Sequence, residues 1–537
     1  MEQRYFSREI ETAAETGHTG NVFDTSDKKT FRLTMKNTTA APRLTAVEYE
    51  VTDIYGSVAE KGKTDGVVIE GKETVIKEIT LKDLKNGVYV IAMKVITTGP
   101  NELPVTYKIE YDFSVMKKFR PGEKLNDRIG ASGHTSWGYD VNGSMELLTA
   151  AGMGVWRDEY SWETVEREKG IYSVYNMSDN NVNAMYRAGV YPLFIACYGN
   201  TQYDEYKSVP HTDEGIEAYA KYAGFLAEKY KGKIKAIEIW NEYNIKPFNP
   251  EMMDAAHYVK MLKACYREIK SVNPDMKVVG VVCAGYDKEF VKSVFDAGGY
   301  DYMDVVSAHL YWVWTQHFDA RLWASKVREM KELMNEYGEE KELWITEIGW
   351  PTHKQKERIK FQYTEEEQGK YIPRMYITYC ANNFGQKVFV YDFQDDGVQP
   401  ENMEHHFGIV HPEHNVRTPF AAKPALITLC AMNHMIGNSE YTDSVYFGEF
   451  TAAHRFVDRN SGEQTVTVWS TFTDSVALNL GTDTVTVFDH YGNVVYEYKS
   501  KDGIYQFDLN NGQYYIKGEF TAFSAAEACK KCAEKLS

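Results

Sequence analysis

Between residues 125 and 436 the chain contains eight short stretches in which apolar residues run on without alternating with polar ones, and this pattern restricts the fold more than any other feature. They lie at 129–132, 153–156, 191–196, 236–240, 278–282, 305–308, 343–346 and 388–391. A strand that is apolar on both sides must be covered on both faces. The segments between the runs have helical periodicity and carry helix boundaries of their own. Thr364-Glu365-Glu366-Glu367 fits a capping box, and Gly152 and Gly232 stand where helices should stop. Eight strand-then-helix units predict an α/β fold, a parallel (β/α)8 TIM barrel over residues 123–437. A doubly wound sheet would also alternate, but no Gly-x-Gly-x-x-Gly opens a helix after the first run.

The flanking sequence has a different period. Phe31, Leu33 and Met35 alternate with Arg32, Thr34 and Lys36; Val47, Tyr49 and Val51 alternate with Glu48 and Glu50; residues 107–115 continue the pattern. With turn signals at Tyr55-Gly56-Ser57 and Lys85-Asn86-Gly87, residues 1–122 are expected to form an N-terminal β-sandwich. Strand patterns return at 465–469, 484–488 and 514–516, with a hairpin signal at Asp489-His490-Tyr491-Gly492-Asn493. They predict a C-terminal β-sandwich over 438–520, followed by a helical tail over 521–537.

Charge narrows the range of partners. Sixty Lys and Arg against 77 Asp and Glu leave a net −17, the wrong sign for nucleic acid or anionic membrane surfaces. Seven scattered cysteines give no disulfide framework. The first residues lack the apolar stretch of a signal peptide. The expectation is a secreted or cell-surface protein whose leader is not part of this chain, with the cytoplasm as the alternative.

In a barrel of this kind chemistry sits at the carboxyl ends of the strands. The fourth run ends Trp240-Asn241-Glu242, and the seventh ends Thr346-Glu347-Ile348-Gly349-Trp350-Pro351, so each brings one carboxylate to the mouth. A lone strand-end Glu is usually an ion-pair partner or a helix cap. Two of them, on strands four and seven and both set among Trp, point to paired-carboxylate chemistry instead.

These two segments resemble the acid/base and nucleophile segments of clan A glycoside hydrolases. Further stretches are similar to members of families thirty-nine and five: Gly154-Val155-Trp156-Arg157-Asp158-Glu159 on strand two and Ser307-Ala308-His309-Leu310-Tyr311 on strand six. The resemblance implies a retaining hydrolase of β-glycosidic bonds with Glu242 as acid/base and Glu347 as nucleophile. Arg157 would brace the nucleophile, and Asn241, His309, Tyr311, Trp350, His134 and Trp137 would contact a carbohydrate substrate. Trp312 and Trp314 are further candidates for stacking on sugar. Strand eight departs from the pattern, offering Tyr391-Asp392-Phe393 where many members have a Trp. Internal cleavage of a polysaccharide is the expected mode, with an exo-acting, β-xylosidase-like enzyme as the alternative and a non-catalytic carbohydrate-binding barrel as a third reading.

No metal and no cofactor is expected. Strand one supplies a single His, and His405, His406, His411 and His414 lack a fixed ligand spacing, which suits a polar loop. Cys529 and Cys532 have Cys-x-x-Cys spacing without a second pair or a redox fold around them.

Overall fold

A computed structural model describes residues 9–204, 209–312, 317–354, 362–415, 417–448, 450–472 and 474–527, with the backbone of Ala533–Leu536. Eight parallel strands close into a barrel: β1 (Asn126–Ser132), β2 (Met153–Ser161), β3 (Tyr191–Cys197), β4 (Ala236–Ile239), β5 (Lys277–Ala284), β6 (Val305–His309), β7 (Glu342–Ile348) and β8 (Lys387–Val390). β8 pairs with β1 to complete the ring. Helices follow each strand on the outside, from Val141–Ala150 after β1 to Pro424–Ile436 after β8. Several begin at side-chain caps. Asp140, Thr212, Asp254, Asp287, Asp319 and Thr364 each accept from a backbone N–H of the first turn, and Thr364 with Glu367 completes the capping box.

Successive residues of a strand point to opposite faces, and here one face meets the helices while the other meets the barrel axis. Val155, Leu193, Ala236, Val279, Val305, Trp344 and Phe389 fill the axis as one layer, one residue from each of seven strands. Two residues further along β2, β4 and β6 the same face carries Arg157, Glu238 and Ser307. Polar side chains therefore enter the barrel on the inward register, above a plug of apolar ones.

Before the barrel, Ile10–Glu15, Thr30–Asn37 and Thr74–Thr80 form one antiparallel sheet that faces a second, built on Arg43–Asp53, Gly87–Thr98 and Val105–Met116. Phe31, Leu33, Met35, Ile91, Met93 and Phe113 lie buried between them. The alternation expected over 107–115 ends early. Phe113 to Met116 are all buried, because the barrel's last helix, Pro424–Ile436, covers the outer face there.

After the barrel, a seven-stranded and a three-stranded sheet enclose Val466, Val468, Leu478, Val487 and Phe507. The predicted turns at 85–87 and 489–493 meet each other: Asn86 N–H donates to Asn493 Oδ1 at 2.8 Å, and Asn493 Nδ2 returns a bond to the Asn86 carbonyl at 3.0 Å. The two sandwiches thus touch directly.

The helical tail expected over 521–537 is not formed in its described parts. Ser524–Ala525 pairs with Ser475–Asn479, and Ala533–Leu536 pairs with Val494–Ser500, because open sheet edges offer those backbones partners that an isolated helix lacks. Cys529 and Cys532 lie outside the described residues. No helix among the described residues is long and apolar enough to cross a membrane.

The axial plug yields a stability prediction. Trp344→Ala empties the largest position of that layer and should cost about 3–5 kcal/mol in urea unfolding. An effect below about 1 kcal/mol would place the ring outside the packed axis.

Candidate active site

The mouth of the barrel is organised around a buried cation. Arg157, on β2, is 2% exposed and is surrounded by acceptors from three other strands. Its Nε donates to Glu238 Oε2 at 2.6 Å, one terminal nitrogen to Glu347 Oε1 at 2.5 Å, and the other to Asn241 Oδ1 at 3.0 Å. Glu238 is fully buried and also accepts from Ser307 Oγ at 3.1 Å. Glu347 receives a third contact from the Tyr311 hydroxyl, 2.8 Å from Oε2.

Local backbone irregularities aim both carboxylates. Glu347 lies three residues beyond the inward-facing Trp344, an odd number that regular pleating would turn outward. The pairing of β7 with β8 slips between Ile345 and Ile348, and this re-aims the side chain toward the axis. The chain leaves β4 through Trp240 and Glu242, at φ 70° and 43°, in the left-handed region that side chains rarely adopt. Burial of the Trp240 ring and its 2.9 Å bond to the Phe248 carbonyl hold that turn.

His309 joins the two halves. Its Nδ1 lies 2.8 Å from Glu242 Oε1 and 3.4 Å from Glu347 Oε2, while Nε2 faces an Arg157 nitrogen at 3.4 Å. A guanidinium has only protons to offer, so in the neutral ring Nε2 accepts and Nδ1 donates to Glu242, while in the imidazolium both nitrogens are donors and only the Glu242 bond remains. Oxygens of Glu242 and Glu347 and a nitrogen of His309 all lie within 4.8 Å of one another. Burial alone would raise the Glu347 carboxyl. The neighbouring His309, the Arg157 charge and the Tyr311 hydroxyl outweigh it and hold the group below its ordinary range. Burial likewise works against a charged His309, yet Glu347 and Glu242 make its ring hold a proton more firmly than a free imidazole. Burial and the adjacent Glu347 keep Tyr311 a hydroxyl donor.

A second cluster stands where β8 and β1 end. His134 Nε2 lies 3.3 Å from Asp392 Oδ2 and 3.7 Å from Asp396 Oδ2, and the ring stacks on Trp137 at 4.0 Å. Burial opposes the charge of His134, but Asp392 overcomes it and moves the ring up to about 10. Burial and Asp392 push Asp396 up to about 7. Both ring nitrogens of His134 and Asp392 Oδ2 are buried without a well-directed hydrogen bond. Across the mouth, partial burial and the charges of Glu347, Glu242 and Asp392 raise the carboxyl of Glu404.

Of the residues expected at the site, Arg157, Asn241, Glu242, His309, Tyr311 and Glu347 come together directly, and His134 with 58%-exposed Trp137 forms the neighbouring wall. Trp350 does not belong with them. It is fully buried, packed against Phe318 and Tyr371, because the chain after β7 turns its ring back over the outer helices. Trp312 is only partly buried, and Trp314 lies outside the described residues. Four participants escaped the sequence reading: Glu238, Asp392, Asp396 and Glu404. Period-two counting from Ala236 would have found Glu238.

The histidines at 405–414 do not gather as a set of four, although His406 and His411 both face Asp395 Oδ2, at 4.0 and 3.6 Å. His405 and His406 bond to Gln399, whereas His411 sits near Glu365 and Asp395, the partner of buried Lys423. Among the described residues two other groups have the spacing to hold a cation, namely Glu242–His309–Glu347 and His134–Asp392–Asp396. In the first the Arg157 guanidinium already neutralises Glu347. In the second the imidazole that would have to offer a lone pair holds its proton tightly.

No protein-family model and no curated protein matches the chain. Solved structures share its fold. A family 39 glycoside hydrolase from the gut symbiont Bacteroides cellulosilyticus superposes with a TM-score of 0.72 at 20% identity, covering 90% of this chain and 99% of its own. A family 39 β-xylosidase from Caulobacter crescentus gives 0.52 at 15% identity, over 75% and 97%. A family 30 endoxylanase from Clostridium papyrosolvens gives 0.52 at 13% identity, over 74% and 97%.

The contacts of Glu347 predict its titration. A carboxyl held below the ordinary range stays ionised as pH falls through that range and takes up its proton only lower. Carbon-13 NMR of labelled Glu should show this in the parent chain, and Tyr311→Phe, which removes one donor, should move the transition upward by about one unit. A transition already at the ordinary value in the parent chain would contradict the assigned contacts.

Proposed function

We propose that this chain is a retaining glycoside hydrolase of β-linked oligo- or polysaccharides, with Glu347 as nucleophile and Glu242 as acid/base. The observation that carries the reading is the pair of carboxylates from β4 and β7, with oxygens within 4.8 Å of each other. Double displacement needs carboxyl groups about 5 Å apart, whereas inversion needs a wider gap that leaves room for water. The surroundings support the division of roles. Arg157 and Tyr311 keep Glu347 an anion suited to attack the anomeric carbon. Glu242 meets only His309 among these groups and is free to protonate the leaving oxygen. In the first step the C–O bond to the leaving group breaks as Glu347 forms a glycosyl ester. In the second, Glu242, now a base, takes a proton from water, which displaces Glu347. Asn241 offers its amide N–H groups to the sugar's 2-hydroxyl, since its Oδ1 is engaged by Arg157.

Fold relatives include a β-xylosidase and an endoxylanase, so architecture leaves the mode of cleavage open and makes β-xylosides the first substrates to try. One observation favours trimming of chain ends over the internal cleavage expected from sequence. The wall of His134, Asp392 and Asp396 puts buried, underused hydrogen-bonding groups beside the nucleophile, where they suit the hydroxyls of a terminal sugar.

Two expectations follow. Proton NMR of the earliest product from an accepted β-linked tetrasaccharide should show a monosaccharide in the β configuration. The α anomer first would overturn the retaining pair, and internal fragments first would overturn trimming. Separately, Glu347→Ala should lose turnover of every substrate, about 10⁴-fold or more. Glu242→Ala should keep a burst on a nitrophenyl glycoside, and added azide should restore turnover as the β-glycosyl azide. Equal collapse of both variants, without burst or rescue, would remove the assignment.

A further inference from the structure

We propose that the cleft between the outer barrel helices Ala320–Asn335 and Glu365–Ala381 and the C-terminal sandwich binds an acidic oligosaccharide, a glycan carrying a uronate carboxylate, at a second site away from the paired glutamates. The cleft has a volume of about 500 Å³, within the range of small-molecule sites and large enough for two or three sugar units.

Its sandwich wall presents aromatic rings that a packed seam would bury. Tyr446 is 58% exposed, Phe450 37%, and the adjoining Phe472 44%. Phe450 meets Phe472 edge-on at 4.9 Å, and Phe472 meets His317 at 5.3 Å, in the segment between β6 and the helix Ala320–Asn335. Phe450, Phe472 and His317 thus form a continuous aromatic edge beside the cleft. Flat rings of this kind take the C–H faces of pyranoses.

Charge selects among sugars. Among the described residues the lining contains Arg321 and Arg328 and no Asp or Glu, on a chain whose net charge is −17. Among the described residues neither arginine forms an ion pair. Arg328 gives one donor to Asn382 Oδ1 at 3.2 Å, and both heads are solvent-exposed. Screening confines the chain's overall negative field to about 8–10 Å, so at contact distance the two guanidiniums, which have no ion-pair partner among the described residues, act on a ligand directly. A guanidinium is shaped to bind a carboxylate through two parallel bonds. Rings for the sugar face and a fork for its carboxylate together describe a uronate-bearing chain. The choice of a sugar over another aromatic-stacking anion rests on the glycoside hydrolase reading; the charge and ring arrangement do not.

Calorimetric titration of the full chain, in a Glu347→Gln background so that turnover does not disturb the heats, tests this. The probes are aldotetraouronic acid, a xylotriose carrying 4-O-methylglucuronate, and the same compound with its carboxylate reduced to the alcohol. The acid should bind about tenfold more tightly than its reduced form, and Arg321→Ala should abolish that difference. Tyr446→Ala should weaken both probes. In an otherwise unaltered chain neither substitution should change the unfolding temperature or the kcat on a nitrophenyl glycoside. Equal binding of acid and alcohol, no binding of either, indifference to Arg321→Ala, or tighter binding of adenosine diphosphate than of the acid would each overturn the proposal. Absence of turnover on every glycoside, with acid-selective binding intact, would overturn the catalytic reading and leave this one standing.

Discussion

The mouth of the barrel depends on one buried charge. A guanidinium at the axis, 2% exposed, is tolerable only if acceptors replace the water it has lost, and Glu238, Glu347 and Asn241 do so from β4 and β7. Removing one partner from such a cluster costs about 3–5 kcal/mol, while replacing the whole cluster with apolar side chains is often neutral. Stability alone therefore gives no reason to keep it. What the cluster provides is a carboxylate that stays ionised while buried, with its orientation set from two sides. Glu238 balances the second half of the Arg157 charge and fixes the guanidinium plane, which in turn fixes Glu347.

The rest of the fold serves that arrangement. The apolar layer from Val155 to Phe389 closes the barrel below the cluster and keeps water from the underside of Arg157. The left-handed turn at Trp240 and Glu242, and the slipped pairing near Glu347, spend local backbone regularity to bring two side chains from opposite strands face to face. The sandwiches hold the assembly from outside, joined to one another through Asn86 and Asn493 and covering the last barrel helix.

Much of this was legible in the chain. Continuous apolar runs announced strands covered on both faces, and the capping box at Thr364 and the stop at Gly152 marked real helix ends. The site was legible where a polar residue interrupts an apolar strand at its carboxyl end, as at Arg157, Glu242 and Glu347. It was not legible where position depends on loop paths. Trp350 follows the β7 carboxylate as closely as a site residue could, yet its ring turns into the outer layer. Asp392 and Asp396 gain meaning only because His134, more than 250 residues earlier, folds against them. The C-terminal tail failed for a similar reason: its strands exist because distant sheet edges accept them.

The barrel, the flanking β-domains and the strands that carry the two glutamates follow from periodicity along the chain, because periodicity is a local property that each segment expresses wherever it is placed. The sub-5 Å approach of Glu242 and Glu347, the bracing of Arg157 by Glu238, the wall of His134 and the aromatic, arginine-lined cleft arise only once the whole chain is folded. Those depend on closure of the ring and on the seam between domains. Contacts between residues far apart in the chain are set by the geometry of the whole, and no local pattern encodes that geometry.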